Sequence, residues 1–209
     1  INYRDISLNQ KTKWQMLKRK LNVTIALTLL GVVGANAQDS TKKSTTTFTF
    51  SADAYYRYDF ADAKNGDLNN KTSFTNSKNS FELGMASIKV DHTIGKVEAT
   101  LDLGYGRRAA EFSYNDGGSL AVVKQAYLSY APSSALKFTI GKWATHVGWE
   151  LVDAYANRNY SMSYGFSYGP FFHTGLKADI SLGGKSALMV GVANPTDNST
   201  TTSSGKFFI

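Results

Sequence analysis

The sequence predicts an all-β fold: an antiparallel up-and-down transmembrane β-barrel, of which the chain holds an incomplete, C-terminally truncated part. Three observations carry this expectation. Seven segments of alternating side chains run from Thr47 to Asn194, their connections alternate long and short, and an export signal precedes them. The segments span 47–60, 81–90, 97–106, 122–130, 135–143, 172–182 and 186–194. The connections 61–80, 107–121 and 144–171 are long, whereas 91–96, 131–134 and 183–185 are short. Tight turns join antiparallel strands naturally. A regular difference between the two rims needs a further cause, and membrane barrels supply one in their brief periplasmic turns and longer outer loops.

The chain begins with Ile1, and Met16 opens the recognisable pattern. Lys18, Arg19 and Lys20 form a basic region, residues 23–33 an apolar one, and Ala35-Asn36-Ala37 a small-residue cleavage site, so the expected signal peptide is 16–37. Its apolar stretch is too short for a spanning helix, which takes about 20 residues. Residues 1–15 have no such organisation and read as upstream translation; 38–46 read as a flexible segment before a barrel domain at 47–209.

Charge and cysteine content remove several function classes. The formal charge is +7, but six basic residues and one acid lie in residues 1–37. The remainder holds 17 basic and 15 acidic residues, a net +2, which gives a nucleic-acid partner little electrostatic support. With no cysteine there is neither a disulfide framework nor a thiolate metal site. If the mature chain enters a membrane it must do so as strands, since a closed barrel pairs every lipid-facing backbone group.

Element by element, the alternation separates two chemistries. In 47–60, Phe48, Phe50, Ala52, Ala54, Tyr56, Tyr58 and Phe60 share one face, opposite Thr47, Thr49, Ser51, Asp53, Tyr55, Arg57 and Asp59. The third segment sets Val97, Ala99, Leu101, Leu103 and Tyr105 against Glu98, Thr100 and Asp102. The fourth opposes Ala126, Leu128 and Tyr130 to Gln125, Tyr127 and Ser129; the sixth opposes Leu176, Ala178, Ile180 and Leu182 to Lys177, Asp179 and Ser181. An apolar lipid face ending in aromatics over a wet lumen predicts this distribution. A soluble sandwich or lipocalin-like barrel has the same period with the apolar face inside, because alternation does not say which face is wet. In the second segment Phe81, Leu83 and Met85 are out of phase with Ile88 and Val90, so a bulge is expected near Ala86-Ser87. Gly95, Pro132-Ser133-Ser134 and Gly183-Gly184 suit the short turns, and the polar stretch 194–204 is expected to be mobile.

Catalytic signatures are missing. Gly104-Tyr-Gly106-Arg-Arg-Ala109 imitates a dinucleotide fingerprint, but that motif needs a helix opening at the glycines, and 112–118 reads as turn. The glycines are expected to mark a strand end. His92, His146 and His173 are scattered without metal-ligand spacing, and no GxSxG elbow occurs. No enzyme, cofactor or metal is expected.

Residues 144–171 form the most informative loop, with Trp149, Glu150, Asp153, Arg158, Tyr160, Tyr164, Phe166, Tyr168 and Phe171. It is too aromatic for a solvated flap and too long for a turn. Two placements are open: it folds into the barrel mouth, bringing Glu150, Asp153 and Arg158 near the lumen wall as a constriction, or it packs over the rim with its aromatics in the interfacial belt. A helical turn is expected within 151–155.

From Gln125-Ala-Tyr-Leu-Ser-Tyr130 and Phe138-Thr-Ile-Gly141-Lys142-Trp143-Ala-Thr145-His-Val-Gly148-Trp-Glu150 the chain resembles the OmpL-like β-barrel porins, related in pattern to phosphate-selective-type porins. The second stretch is similar to that family's "GKF-x-TPFG-x-E", with His146 where its proline follows Thr145 and Trp143 in place of Phe. The likeness continues through Asn159-Tyr160-Ser161, His173-Thr174-Gly175 and Asn194-Pro195 and covers roughly 122–194. It implies an outer-membrane channel for passive diffusion of small hydrophilic solutes or ions, general or leaning to anions. Its partners would be the lipid bilayer and those solutes, with a homo-oligomer compatible and no nucleic acid. The expected pore-lining residues are Asp53, Arg57, Glu98, Asp102, Lys177 and Asp179, unless these charges pair with one another and stiffen the wall. The rival readings are a structural or adhesive outer-membrane barrel without a pore, and a soluble exported barrel or sandwich that binds a small ligand. An eighth strand begins at Lys206 and the sequence stops at Ile209, short of the 9–11 residues a spanning strand needs.

Overall fold

The computed structural model describes residues 43–58, 60, 72–202 and 205–209. The expected leader, the segment before it, Asp59 and most of the long connection 61–80 lie outside the described residues. Eight strands form one sheet: β1 (Ser44–Arg57), β2 (Ser80–Ile94), β3 (Val97–Tyr105), β4 (Val123–Ser133), β5 (Leu136–Ala144), β6 (Phe172–Gly183), β7 (Ser186–Ala193) and β8 (Phe207–Phe208). Their order is β1-β2-β3-β4-β5-β6-β7-β8, and every pairing is antiparallel. This is the expected meander; β1 and β8 are its edges, and the sheet is open between them. The strands run further into the short connections than the sequence predicts. Only Gly95-Lys96, Ser134-Ala135 and Gly184-Lys185 remain between β2 and β3, β4 and β5, and β6 and β7. Gly95 and Gly184 take φ of 57° and 61°, the left-handed conformation that two-residue hairpin turns demand.

The apolar face looks outward. Leu101 is 44% exposed and Leu176 46%, whereas their neighbours Asp102, at 2%, and Lys177 lie on the shielded side. The outward surface is bounded by aromatics at both ends of the strands: Tyr56, Phe81 and Tyr105 towards the long loops, Phe48, Tyr130 and Phe138 towards the turns. Between them stand Leu83, Leu101, Leu128, Ile140, Leu176 and Val190. A soluble sandwich or ligand-binding barrel would bury these leucines, so the facing expected of a lipid-exposed wall is the one observed.

Two local expectations are corrected. The bulge in β2 is at Gly84, two residues before the expected Ala86-Ser87: Asp53 pairs with Met85 and Ala54 with Leu83, which leaves Gly84 unmatched. Met85 therefore turns inward and is buried, while Phe81 and Leu83 stay outside. The second correction concerns the segment after Gly106, where a helix was not expected. Helix α1 (Arg107–Phe112) opens there, and β3 ends at Tyr105 as foreseen. Arg108, Ala109 and Phe112 form its buried side, so it is a packing element over the sheet. The strands around it are all antiparallel, so it does not belong to the parallel βαβ unit of a dinucleotide fold.

Candidate functional site: the inner face and its loop cap

Polar side chains alternate inward from every long strand, and the described parts of the long connections close over the half of that face farthest from the tight turns. The cap is built on a cluster of buried apolar residues, Phe74, Phe112, Val152, Met162, Phe166, Phe171 and Phe172. These come from different loops, and their rings pack in pairs, Phe74 with Phe171 at 5.3 Å and Phe112 with Phe172 at 5.6 Å. Each buried ring is worth roughly 1.5–3 kcal/mol, so the cluster outweighs any single exposed ion pair at about 0–1 kcal/mol. The cap is a packed layer. Within loop 145–171 one 3₁₀ turn covers Ala154–Ala156, slightly beyond the turn expected at 151–155, and helix α2 covers Tyr164–Ser167.

Three cations lie beneath the cap. Arg108 of α1 is fully buried; its guanidinium donates to the carbonyls of Val152 at 3.4 Å and Tyr160 at 3.0 Å and lies 4.7 Å from the Tyr160 ring. Lys124 is the extra residue of a bulge in β4, since Asp102 pairs with Gln125 and Leu103 with Val123. That bulge turns Lys124 inward to bridge Asp102 at 3.1 Å and Asp153 at 2.6 Å. Lys142 follows Gly141, whose φ of 134° breaks the alternation of β5, and it reaches Asp116 at 2.8 Å and the Phe172 ring at 3.7 Å.

The polar stretch 194–204 was expected to be mobile, yet its described part is held down. Asp197 accepts from the backbone N–H groups of Phe171 at 2.7 Å and Phe172 at 3.0 Å and from the Tyr114 hydroxyl at 3.3 Å. Burial raises the Asp197 carboxyl above the usual range despite those donors. Ser199 donates to Asp116 from its hydroxyl at 2.7 Å, which ties the same stretch to the Lys142 pair.

The predicted residues divide between cap and open wall. Asp53 accepts a hydrogen bond from Tyr160, and Gly84 makes the room: a Cβ there would collide with both groups. Burial, followed by the bond to Asp53, pushes the Tyr160 phenol up to about 12. Asp102 and Asp153 meet at Lys124. Glu150 turns back into its own loop, accepting from the Ser163 backbone N–H at 3.0 Å and from its hydroxyl. Arg158 is exposed and, among the described residues, makes no ion pair. Asp153 and Tyr160 thus hold the loop against the inner wall, while Glu150 and Arg158 stay away from it. Arg57 lies at the end of β1 beside the loops.

On the open half, Glu98 pairs with Lys137 at 2.8 Å and Lys177 with Asp179 at 2.9 Å. Lys89 and Asp91 of β2 form a similar pair at 3.1 Å. His146 and His173, far apart in sequence, bring their rings to 5.0 Å, and His173 also contacts Thr145 at 3.2 Å. The sequence reading missed Arg108, Lys124 and Lys142. Lys124 and Lys142 fall on the outward phase of their strands, and only the irregularity beside each turns it inward.

A family model described as putative β-barrel porin-2, OmpL-like, matches residues 45–208. The chain belongs to that family. The match spans all eight strands and the cap, well beyond the stretch that carries the sequence resemblance. The family is one of porin-like β-barrels, a class located in general in the outer membrane. No curated protein and no solved structure matches the chain.

Proposed function

We propose that the protein is an outer-membrane porin whose polar inner face lines a path for passive diffusion of small hydrophilic solutes and ions, with no enzymatic step. The carrying observation is the inverted wall: half-exposed leucines outward between two aromatic belts, paired charges inward. Strands β1 to β7, of 8–15 residues, support this reading, being of the order needed to cross the hydrocarbon layer when tilted. No described helix is long and apolar enough to cross a membrane, so insertion rests on the strands. Loop 145–171 acts in this reading as a fixed constriction, held to the wall through Asp153 and Tyr160.

The cap also favours a second reading, a structural or adhesive barrel without an open pore, because packed rings and buried ion pairs close half of the inner face. Planar-bilayer recording on the full-length protein separates the two. Stepwise channel events support the porin, and a folded, inserted protein that gives none refutes it. The absence of cysteine makes a facing test simple. A single cysteine at Leu101 should be shielded from a water-soluble maleimide in vesicles and one at Glu98 should react; the reverse pattern would refute the membrane reading.

A further inference from the structure

The ion pairs of the inner face fall into two groups by exposure. Under the cap Lys124–Asp102 and Lys142–Asp116 are sealed, with side-chain exposures of 2% and 4% and of 5% and 3%, while Arg107 of α1, paired with Glu82 and Glu111, is 44% exposed at the rim. Those on the uncovered wall are open: 35% and 25% for Lys89–Asp91, 41% and 31% for Lys137–Glu98, 18% and 39% for Lys177–Asp179. Exposed pairs add little to stability, so holding the wall together does not account for three of them. Two of the three also repeat. Ile88-Lys-Val-Asp-His-Thr-Ile-Gly95 on β2 and Leu176-Lys-Ala-Asp-Ile-Ser-Leu-Gly183 on β6 are the same pattern, each leading into a tight turn. Period-2 geometry sends both members of each Lys-x-Asp to one face. The register confirms which: Lys89 stands opposite Asp102 and Thr49, and Lys177 opposite Thr139, a residue buried on the inner side.

We propose that solute selectivity is set by this belt of open strand pairs, Lys89–Asp91, Glu98–Lys137 and Lys177–Asp179, and not by the sealed cations Arg108, Lys124 and Lys142 beneath the cap. The belt has three cations and three carboxylates, each within 3.1 Å of its partner. Its summed field is close to zero, so it passes small hydrophilic solutes with little regard to the sign of their charge. The sealed cations of the cap contact their own carboxylates and carbonyls and are not offered to a solute. The inference rests on the porin reading and deepens it by naming the selectivity residues.

The test is reversal potential in a salt gradient across planar bilayers, using the full-length protein. Wild type should show almost no cation or anion preference. K89Q and K177Q each uncover a carboxylate and should favour cations; D91N and D179N should favour anions. A unit charge about 6 Å from a passing ion in water raises the local concentration of the oppositely charged ion roughly threefold and lowers that of the like-charged ion by the same factor, so the permeability ratio should change by roughly tenfold in each variant. Heat-modified migration in gels verifies that each variant folds. Channels whose selectivity is the same in all four folded variants would overturn the belt and leave the porin reading intact. A folded wild type that forms no channels would overturn both.

Discussion

Replacing Lys124 by Met should be among the most damaging single changes in the wall. Its side chain is 2% exposed and bridges Asp102, 4% exposed, and Asp153, 16% exposed. Met keeps the volume of the stem, so little packing is lost, but two shielded carboxylates are left facing each other. Asp102 retains only the Gln125 amide, at 3.1 Å. Breaking a buried pair by removing one partner costs about 3–5 kcal/mol. With a urea slope of about 2 kcal/mol per molar, the unfolding midpoint should fall by roughly 1.5–2.5 M. Trp143 and Trp149 flank the region and report the transition by fluorescence in detergent or lipid vesicles. The triple change K124M/D102N/D153N removes the stranded charges and should recover to within about 1 kcal/mol of wild type, since a neutral replacement of a buried ion cluster is often tolerated. A K124M loss below about 1 kcal/mol, or a triple variant no better than the single one, would refute the idea that this cluster ties loop to wall by charge.

Further outcomes follow from the cap. Tyr160→Phe removes the donor to Asp53 and should cost about 1 kcal/mol; in wild type, absorbance titration should find one tyrosine ionising near pH 12 that the variant lacks. Because the folded-state value is raised, this phenol's contribution is complete below about pH 10 and is lost as pH climbs through about 12. The Asp197 carboxyl is also raised, so its contribution is full below the ordinary carboxylate range and declines as pH rises through the folded value. Asp197→Asn keeps an acceptor for the two N–H groups without the buried charge and should be as stable as wild type at neutral pH, whereas Asp197→Ala should lose about 1–3 kcal/mol; equal effects on thermal melting would contradict this. Gly84→Ala should detach Tyr160 from the wall, measured as faster proteolysis within 145–171.

Much of the architecture was legible because the wall obeys one simple rule. Alternation in 97–106 and 172–182 assigned Leu101, Leu176, Asp102 and Lys177 to their faces, and the turn residues fixed which rim is short. Legibility ended where the rule is broken. The phase slip in β2 was visible, but Gly84 and its neighbours offered several positions for the extra residue, and only the room required by Tyr160 against Asp53 selects one. Lys124 and Lys142 read as outward because nothing local announces the bulge or the positive φ that redirects them. Helix α1 was missed since six residues are too few for a periodic pattern, and its stability comes from burying Arg108 and Phe112 against loops distant in sequence. Charges were placed on the correct face without their partners: that Asp53 meets Tyr160 and Asp153 meets Lys124 depends on how a long loop folds back.

The irregularities at Gly84, Lys124 and Gly141 share a location and a purpose. All three lie at the loop end of their strands, and each re-aims a side chain or clears space where the cap docks. In a strictly regular sheet Lys124 and Lys142 would point to the apolar side, where a lysine costs about 2–4 kcal/mol at the membrane midplane and less towards the interface. Turning them inward removes that cost but creates buried cations, and the loops answer with Asp153 and Asp116. Cap and upper wall therefore depend on each other, and a change in either should be felt in both. Towards the turns the register shifts only beside the hairpins themselves, at Tyr130/Ser133 and Ser181/Gly183, and the open ion pairs remain in water, so a charge there can be changed with little structural consequence. A wall divided in this way can hold its fold in one half while its selectivity is altered in the other.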